Sequence, residues 1–431
     1  MIENKILEKL GIEQLNPMQR EAIKTIPLQR EVVLLSPTGT GKTVAFLLPI
    51  VAALDAACSE VQVLIVVPSR ELALQIEQVV RQMGTGFKTN AVYGGRAGAQ
   101  DKIDLKHSPA ILIGTPGRLA DNLRKGRFSA EFVKTLVLDE FDKSLEVGFE
   151  LEMTEIVAAL PYVEKKILTS ATQAEQIPAF VKLKHPYYIN YLHEAITQLT
   201  IKTILSPTKD KLGTLVAALS HIGNQPGIVF CNFKESIQRV SDYLSAHHIE
   251  HGCFHGDMEQ LDRERTLVKF RNGPYQLILA TDLASRGLDI PELKFILHYQ
   301  LPLREQEFTH RNGRTARMKS DGTAYILAWE SETLPDFITK TTIEAIRPAA
   351  LPDGSRWKTL YVSGGRRDKI SKGDIAGLFL KQGKLMPDEL GIIEIKQTCA
   401  FVGVVASKSA DVIALINNCK LKTKKVRVSE V

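Results

Sequence analysis

The sequence carries five cysteines (Cys58, Cys231, Cys253, Cys399 and Cys419) in 431 residues, and no two of them form a C-x-x-C pair. Such scattered thiols suggest neither a cysteine-built zinc site nor a disulfide framework, and most of them read as core residues. Long apolar runs are missing as well. The longest, Thr43 to Leu54, is interrupted by Pro49 and is shorter than the roughly 20 residues that span a bilayer. Met1–Leu10 mixes Glu with Lys instead of setting a basic start before an apolar run, so no secretory signal is read there. There is no internal repeat or low-complexity segment, and no aromatic residue precedes Phe46. From these absences we expect a cytoplasmic chain with no membrane partner.

What is present suits a globular protein of roughly two to three domains. Charge is unevenly distributed. The formal net charge is +6, yet the segment from Arg356 to Val431 holds 15 Lys and Arg against 7 Asp and Glu, a surplus of +8. The preceding residues are therefore close to neutral, and the tail is the part built to meet a polyanion.

Short β-branched runs alternate with helix-like stretches. They read Val32–Leu35, Val63–Val67, Ile111–Gly114, Thr135–Leu138 and Lys166–Thr169, and then Ile228–Cys231, Leu277–Ala280, Phe295–Tyr299 and Thr323–Leu327. Strands apolar on both faces belong to parallel sheets covered on both sides. Two sets predict two α/β domains, placed at residues 1–200 and 201–346, with interruptions at Thr197–Lys211 and Arg347–Ser355. Residues 356–431 read as strand, helix, strand, strand, helix, strand: Thr359–Val362, Lys372–Lys381, Ile392–Ile395, Cys399–Val405, Ser409–Asn417 and Lys425–Ser429. That βαββαβ order is the split βαβ layout shared by ferredoxin-like domains and RNA-recognition modules.

Chemistry concentrates after the first strand, in Ser36-Pro37-Thr38-Gly39-Thr40-Gly41-Lys42-Thr43. A strand, a glycine loop and a helix N-terminus aim backbone N–H groups and a positive dipole at phosphate. Lys42 is placed to reach the β- and γ-phosphates, and the Thr43 hydroxyl to hold Mg²⁺. Ser36 stands where the general P-loop has its first glycine. Asp139-Glu140-Phe141-Asp142 follows the strand Thr135–Leu138, which would deliver Asp139 to the Mg²⁺ shell and Glu140 to the attacking water as general base.

Taken in order, the motifs resemble the DEAD-box RNA helicases of superfamily 2 over residues 10–320. Gln19 in Pro17-Met18-Gln19 resembles the adenine-reading Q motif. After the P-loop come Pro68-Ser69-Arg70-Glu71-Leu72-Ala73, Gly94-Gly95, Thr115-Pro116-Gly117-Arg118, the tetrapeptide Asp139–Asp142 and Ser170-Ala171-Thr172. His255-Gly256-Asp257, Thr281-Asp282, Arg286–Asp289 and His310–Arg317 complete the set.

The resemblance implies two RecA-like domains and an RNA-stimulated ATPase with ATP and Mg²⁺ as cofactors. It implies Arg314 and Arg317 as arginine fingers, Asp289 at the ribose, and Asp142, Ser170 and Thr172 as the coupling group. Arg70, Gly95, Thr115, Arg118 and Thr281 are implied as the RNA path, which grips phosphates without choosing sequence.

Departures from the family pattern are informative. Ile2 stands where an adenine-stacking aromatic is usual, about 17 residues before Gln19, which predicts weaker adenine selectivity or a raised KM for ATP. Phe141 replaces the usual Ala as a core substitution. Asn312 and Ala316 replace an apolar residue and a glycine between the fingers.

The tail resembles the RNA-binding domain of bacterial DbpA-type helicases through Leu360–Arg367 and Ile370–Ile375. This implies large-subunit (23S-type) rRNA in a pre-ribosomal particle as partner of a monomeric enzyme. Its aromatic stacking platform is incomplete at Cys399 and Val404, so Arg366, Arg367, Lys369, Lys372 and the segment Lys420–Arg427 are the expected RNA contacts. A non-catalytic RNA-binding protein and a DNA helicase are the competing classes. The complete set Lys42, Asp139, Glu140, Arg314 and Arg317 opposes the first, and the Q motif and tail oppose the second.

Overall fold

The computed structural model describes all residues except 1, 96–97, 147, 173–176, 194–198, 283–292, 316–320 and 352–353. It divides into two compact units, one built on Met1–Gln198 and the other on the chain from Leu199 onward. No helix among the described residues is long and apolar enough to cross a membrane.

The first unit is an all-parallel sheet of seven strands: β1 Glu31–Leu35, β2 Val63–Val66, β3 Thr89–Val92, β4 Ile111–Gly114, β5 Thr135–Leu138, β6 Lys165–Ser170 and β7 Tyr187–Asn190. Their order is β3-β4-β2-β5-β6-β1-β7. Every residue of β2 and β4 is buried, because alternate side chains feed two separate cores, one on each face. β6 lies between β1 and β5, with Leu35 opposite Ser170 and Leu138 opposite Leu168. This register sets Ser36, Asp139 and Ser170 side by side at the C-terminal edge of the sheet, where open α/β sheets bind ligands.

The second unit opens with another all-parallel seven-stranded sheet: β8 Leu199–Ser206, β9 Gly227–Phe230, β10 Gly252–Phe254, β11 Leu277–Ala280, β12 Phe295–His298, β13 Gly322–Trp329 and β14 Thr342–Ile343. The order is β10-β11-β9-β12-β13-β8-β14. The stretch read as an interruption at 197–211 holds β8, which pairs with β13 over eight residues. Polar Thr200, Lys202 and Thr203 alternate there with apolar neighbours and disguise a strand whose far side carries only the short edge strand β14.

The tail is a four-stranded antiparallel sheet, ordered β16-β17-β15-β20, from β15 Trp357–Val362, β16 Leu390–Ile395, β17 Ala400–Val405 and β20 Val428–Glu430. A small hairpin, β18 Lys420–Leu421 with β19 Lys424–Lys425, precedes the last strand. The tail's first helix begins at Lys372 as expected, capped by Ser371, but is α-helical only to Gly377 and continues as a wider π turn over Leu378–Gln382. Inward residues Leu360, Val362, Ala400, Val402 and Val404 form one core with Ile375, Phe379, Val412 and Ile416 of the tail's helices.

Candidate nucleotide site and nucleic-acid path

In the P-loop, Gly39 (φ +80°) and Gly41 (φ +83°) adopt the left-handed backbone that glycine tolerates without strain. Ser36, buried just past β1, donates its N–H to the Ser170 carbonyl (3.1 Å) and its Oγ–H to Thr40 Oγ1 (2.8 Å). Thr40 in turn donates to the Pro37 carbonyl at 2.8 Å. The Lys42 ammonium is folded back onto the Ser36 and Pro37 carbonyls at 2.6 and 3.0 Å. Its cationic head is thus inside the loop that a phosphate would enter. Thr43 is half-buried at the start of the helix Lys42–Ala52, and Thr38 is half-buried in the loop.

Gln19 is buried against this loop and donates to the Gly41 carbonyl (3.3 Å). The sequence did not single out Asn16, whose role is to hold Gln19 in place. Asn16 caps the helix Pro17–Leu28 in a reciprocal box with Gln19 and ties the helix to the Thr40 carbonyl at 2.8 Å. A Cβ on Gly41 would sit 2.4 Å from the Gln19 amide nitrogen, so the second glycine is fixed by contact as well as by backbone angle.

Asp139 is 3% exposed at the end of β5 and accepts a short hydrogen bond from Thr169 on β6. Burial first, and the neighbouring Glu140 charge second, push its carboxyl up to about 6, while Thr169 and Lys42 pull it back. Glu140 has φ +47°, an unusual backbone for a non-glycine residue, with its N–H directed at Thr169 Oγ1 (3.3 Å). Phe141 is buried in the core, as read from the sequence. Thr172 donates to Asp142 (3.2 Å), and Ser170 bonds the Thr172 carbonyl at 2.8 Å, so Asp142, Ser170 and Thr172 form one connected group. Lys143 lies 3.8 Å from Asp142 and is only 2% exposed. A charged residue this deeply buried gives no sign of itself in the sequence.

Arg70 begins a helix capped by Ser69 and packs onto the Gly94-Gly95 turn. Gly95 has φ +80°, and a Cβ there would lie 2.5 Å from the guanidinium. Thr115 stands at the N-cap position of the helix Pro116–Arg124, just past β4, where its carbonyl accepts from the Arg118 and Leu119 N–H groups. Arg118 is held at 2.6 Å by Asp101, which is fully buried and also takes a bond from Asn122 at 3.1 Å. Asp101 was not legible either, since nothing in its sequence context marks burial.

In the second unit, Arg311 is 1% exposed and spends its guanidinium on Asp282 (2.6 Å to one oxygen), Gln300 O (2.6 Å) and Asn232 (2.8 Å), lying over the Phe230 ring. Thr281, beside Asp282, bonds the Phe254 carbonyl through its N–H. Arg314 is buried one turn on, with its N–H to Arg311 O at 3.0 Å. Asn312 pairs with buried His298 at 3.1 Å, which explains a polar residue where the family has an apolar one. Arg317, Ala316 and Asp289 lie outside the described residues.

In the tail, Arg366 and Arg367 are exposed on a loop whose N–H groups bond the Lys396 and Gln397 carbonyls. Lys424 reaches Asp368 (2.8 Å) and Lys422 reaches Asp374 (2.7 Å). These two ion pairs unite the segment 366–374, including the start of the helix Lys372–Gly377, with the β18–β19 hairpin in one basic edge, on which Lys369, Lys372, Lys420, Lys425 and Arg427 are also exposed. Among the described residues no cluster of three or more His, Cys, Asp or Glu could hold a metal by itself.

Two RecA-like sheets with a P-loop on the first define a tandem-domain nucleoside triphosphatase. The DEAD/DEAH box helicase model matches residues 16–180, the helicase conserved C-terminal domain matches 210–319, and the DbpA RNA binding domain matches 359–430. The ATP-dependent RNA helicase DbpA of Escherichia coli (strain K12) is 30% identical over 436 residues, covering 98% of this chain and 95% of that protein. Its namesake from Bacillus subtilis (strain 168) is 28% identical, covering 98% and 96%. Among solved structures, Mss116p bound to single-stranded RNA and AMP-PNP matches with a TM-score of 0.68 at 26% identity, over 80% of this chain and 77% of that one. The chain belongs to the DEAD-box ATP-dependent RNA helicases, with the DbpA type of RNA-binding tail. It is an RNA-stimulated ATPase.

Proposed function

We propose that this helicase remodels large-subunit ribosomal RNA locally during ribosome assembly, acting as a cytoplasmic monomer whose tail selects the site. The observation that carries the reading is the basic edge, a surface separate from the ATPase chemistry and built for phosphate. The DbpA helicases of Escherichia coli and Bacillus subtilis match this chain, tail included, over nearly their whole length.

Asp139 and Thr43 fit a small hard cation. Both offer oxygen, and a buried carboxyl held at about 6 gains from a nearby positive charge. So few protein ligands leave room for water and phosphate oxygens, the habit of Mg²⁺. When bound, the ion neutralises charge on the β- and γ-phosphates. Lys42 exchanges its two loop carbonyls for phosphate, and the N–H groups of residues 38–43 surround it. Gln19 reads the base from its anchored helix. Glu140 accepts the proton of the attacking water, and Arg314 and Arg317 stabilise the transferring phosphoryl group. Asp142, Ser170 and Thr172 relay nucleotide state to the RNA-binding residues Arg70, Gly95, Thr115, Arg118 and Thr281.

The test is binding of a large-subunit rRNA fragment against salt concentration, comparing the native chain with a variant carrying Arg366→Gln, Arg367→Gln, Lys420→Gln and Lys425→Gln. The variant is expected to bind more weakly, with a salt slope reduced by about 0.7 to 0.9 per lost phosphate contact. Unchanged affinity and slope would remove the tail from the reading.

A further inference from the structure

The tail's sheet has a second face, opposite its helices, formed by Trp357, Thr359, Tyr361, Phe401 and Gly403. In RNA-recognition modules this open face is where unpaired bases stack. Here its centre is already covered, while Trp357 and Tyr361 stay half-buried beside a cavity that Tyr361 and Phe401 line with Leu261, Arg265 and Lys269. Phe401 is 1% and Thr359 2% exposed, and the cover is the helix Gln260–Asn272 of the preceding RecA-like domain, which meets β15, β16 and β17.

The seam is specific at both ends. Arg271 Nη1 lies 2.5 Å from Glu394 Oε1 of β16, with both side chains about three-quarters buried. Asn272 covers Gly403, where an added Cβ would be 3.5 Å from its side chain. Trp357 packs over Gly273 and Gly391, and Ser355 bonds the Gly273 carbonyl, joining the linker to the same helix end. The two aromatics that could stack bases instead meet each other edge to face, at 5.9 Å and 66°. Two rings at that angle present no common plane to successive bases.

We propose that this sheet face is an intramolecular docking surface for the helix 260–272, that it stays closed while RNA is bound, and that the tail therefore moves as one body with the second RecA-like domain. RNA then meets the tail through its basic edge alone, a clause that rests on the reading under Proposed function. A rigid mount of this kind fixes the direction in which a tethered RNA is presented to the helicase core. A free linker would only raise its local concentration.

The sequence has two tryptophans, so in a Trp329→Phe background Trp357 reports on the seam alone. In the full chain, Arg271→Glu and Glu394→Arg are each expected to red-shift Trp357 emission, and the double reversal to restore it. Arg271→Ala serves as a milder variant should a reversal unfold the tail. Saturation with an rRNA hairpin carrying a single-stranded flank is expected to leave the emission at its native value. Single reversals without effect would show that the seam is open in solution. An RNA-induced shift matching that of Arg271→Glu would show that the face opens to receive RNA. Either result overturns the proposal. A hairpin that fails to bind would sink the basic-edge reading while the charge-swap result still judged the seam.

Discussion

At the scale of single residues, the site separates groups that do chemistry from groups that place them. Glu140→Gln is expected to keep the fold and the Thr169 contact of its backbone while removing the proposed base. RNA-stimulated ATP hydrolysis is expected to fall about 10²- to 10⁴-fold with ATP binding retained, as checked by steady-state turnover beside equilibrium binding of a fluorescent ATP analogue. Gly41→Ala would drive a methyl into the Gln19 amide and strain a left-handed backbone. ATP affinity should weaken by about tenfold or more. Asn312 and His298 form a buried polar pair, so Asn312→Leu, although it restores the residue type usual in the family, is expected to cost about 1–3 kcal/mol in urea unfolding.

His298 also gives the fold a pH dependence. Burial, and then the Arg311 charge, hold its imidazole at about 3 against an ordinary 6.5. Between those values the unfolded chain binds a proton that the folded chain refuses, so His298's contribution is complete above 6.5 and is lost as pH falls toward 3. His298→Gln should flatten the dependence of unfolding free energy on pH across that window. An unchanged slope would assign the acid sensitivity elsewhere.

At the scale of elements, what the sequence revealed and what it hid have different physical causes. Strands apolar on both faces, such as Val32–Leu35 and Leu277–Ala280, were legible because a doubly covered parallel strand has little alternative. Edge strands were not. Tyr187–Asn190 buries one residue in four, Gly252–Phe254 is three residues long, and Thr89–Val92 carries a polar Asn90. The motif loops were legible because their chemistry demands residue types at fixed spacing. The groups that hold them, Asn16, Asp101, Lys143 and Thr169, act through burial and contact across the sheet, which spacing does not record.

Asp101 illustrates the consequence. From the helix Gly98–Asp104 it anchors Arg118 and Asn122 of the helix Pro116–Arg124. Asp101→Ala is expected to lower RNA-stimulated hydrolysis and to destabilise the first domain by about 1–3 kcal/mol, less than a fully buried pair because Arg118 is partly exposed. Equal unfolding midpoints for native and variant chains would show that Arg118 does not depend on this anchor.

At the scale of the whole molecule, the division of charge matches a division of labour. We assign the hydrolytic site to the nearly neutral pair of RecA-like domains and the targeting to the tail of net charge +8. Phosphate contacts along the proposed RNA path of the core would give grip without sequence choice, so on this assignment selectivity comes from the tail. Steady-state ATP hydrolysis by the full chain tests this most directly, measured with no nucleic acid, poly(U), single-stranded DNA and fragments of large-subunit rRNA, and repeated with the basic-edge variant. The account predicts stimulation by RNA over DNA, strongest with the rRNA fragments, and reduced to the poly(U) level when the basic edge is neutralised. Hydrolysis indifferent to RNA, or stimulated equally by DNA, would contradict it.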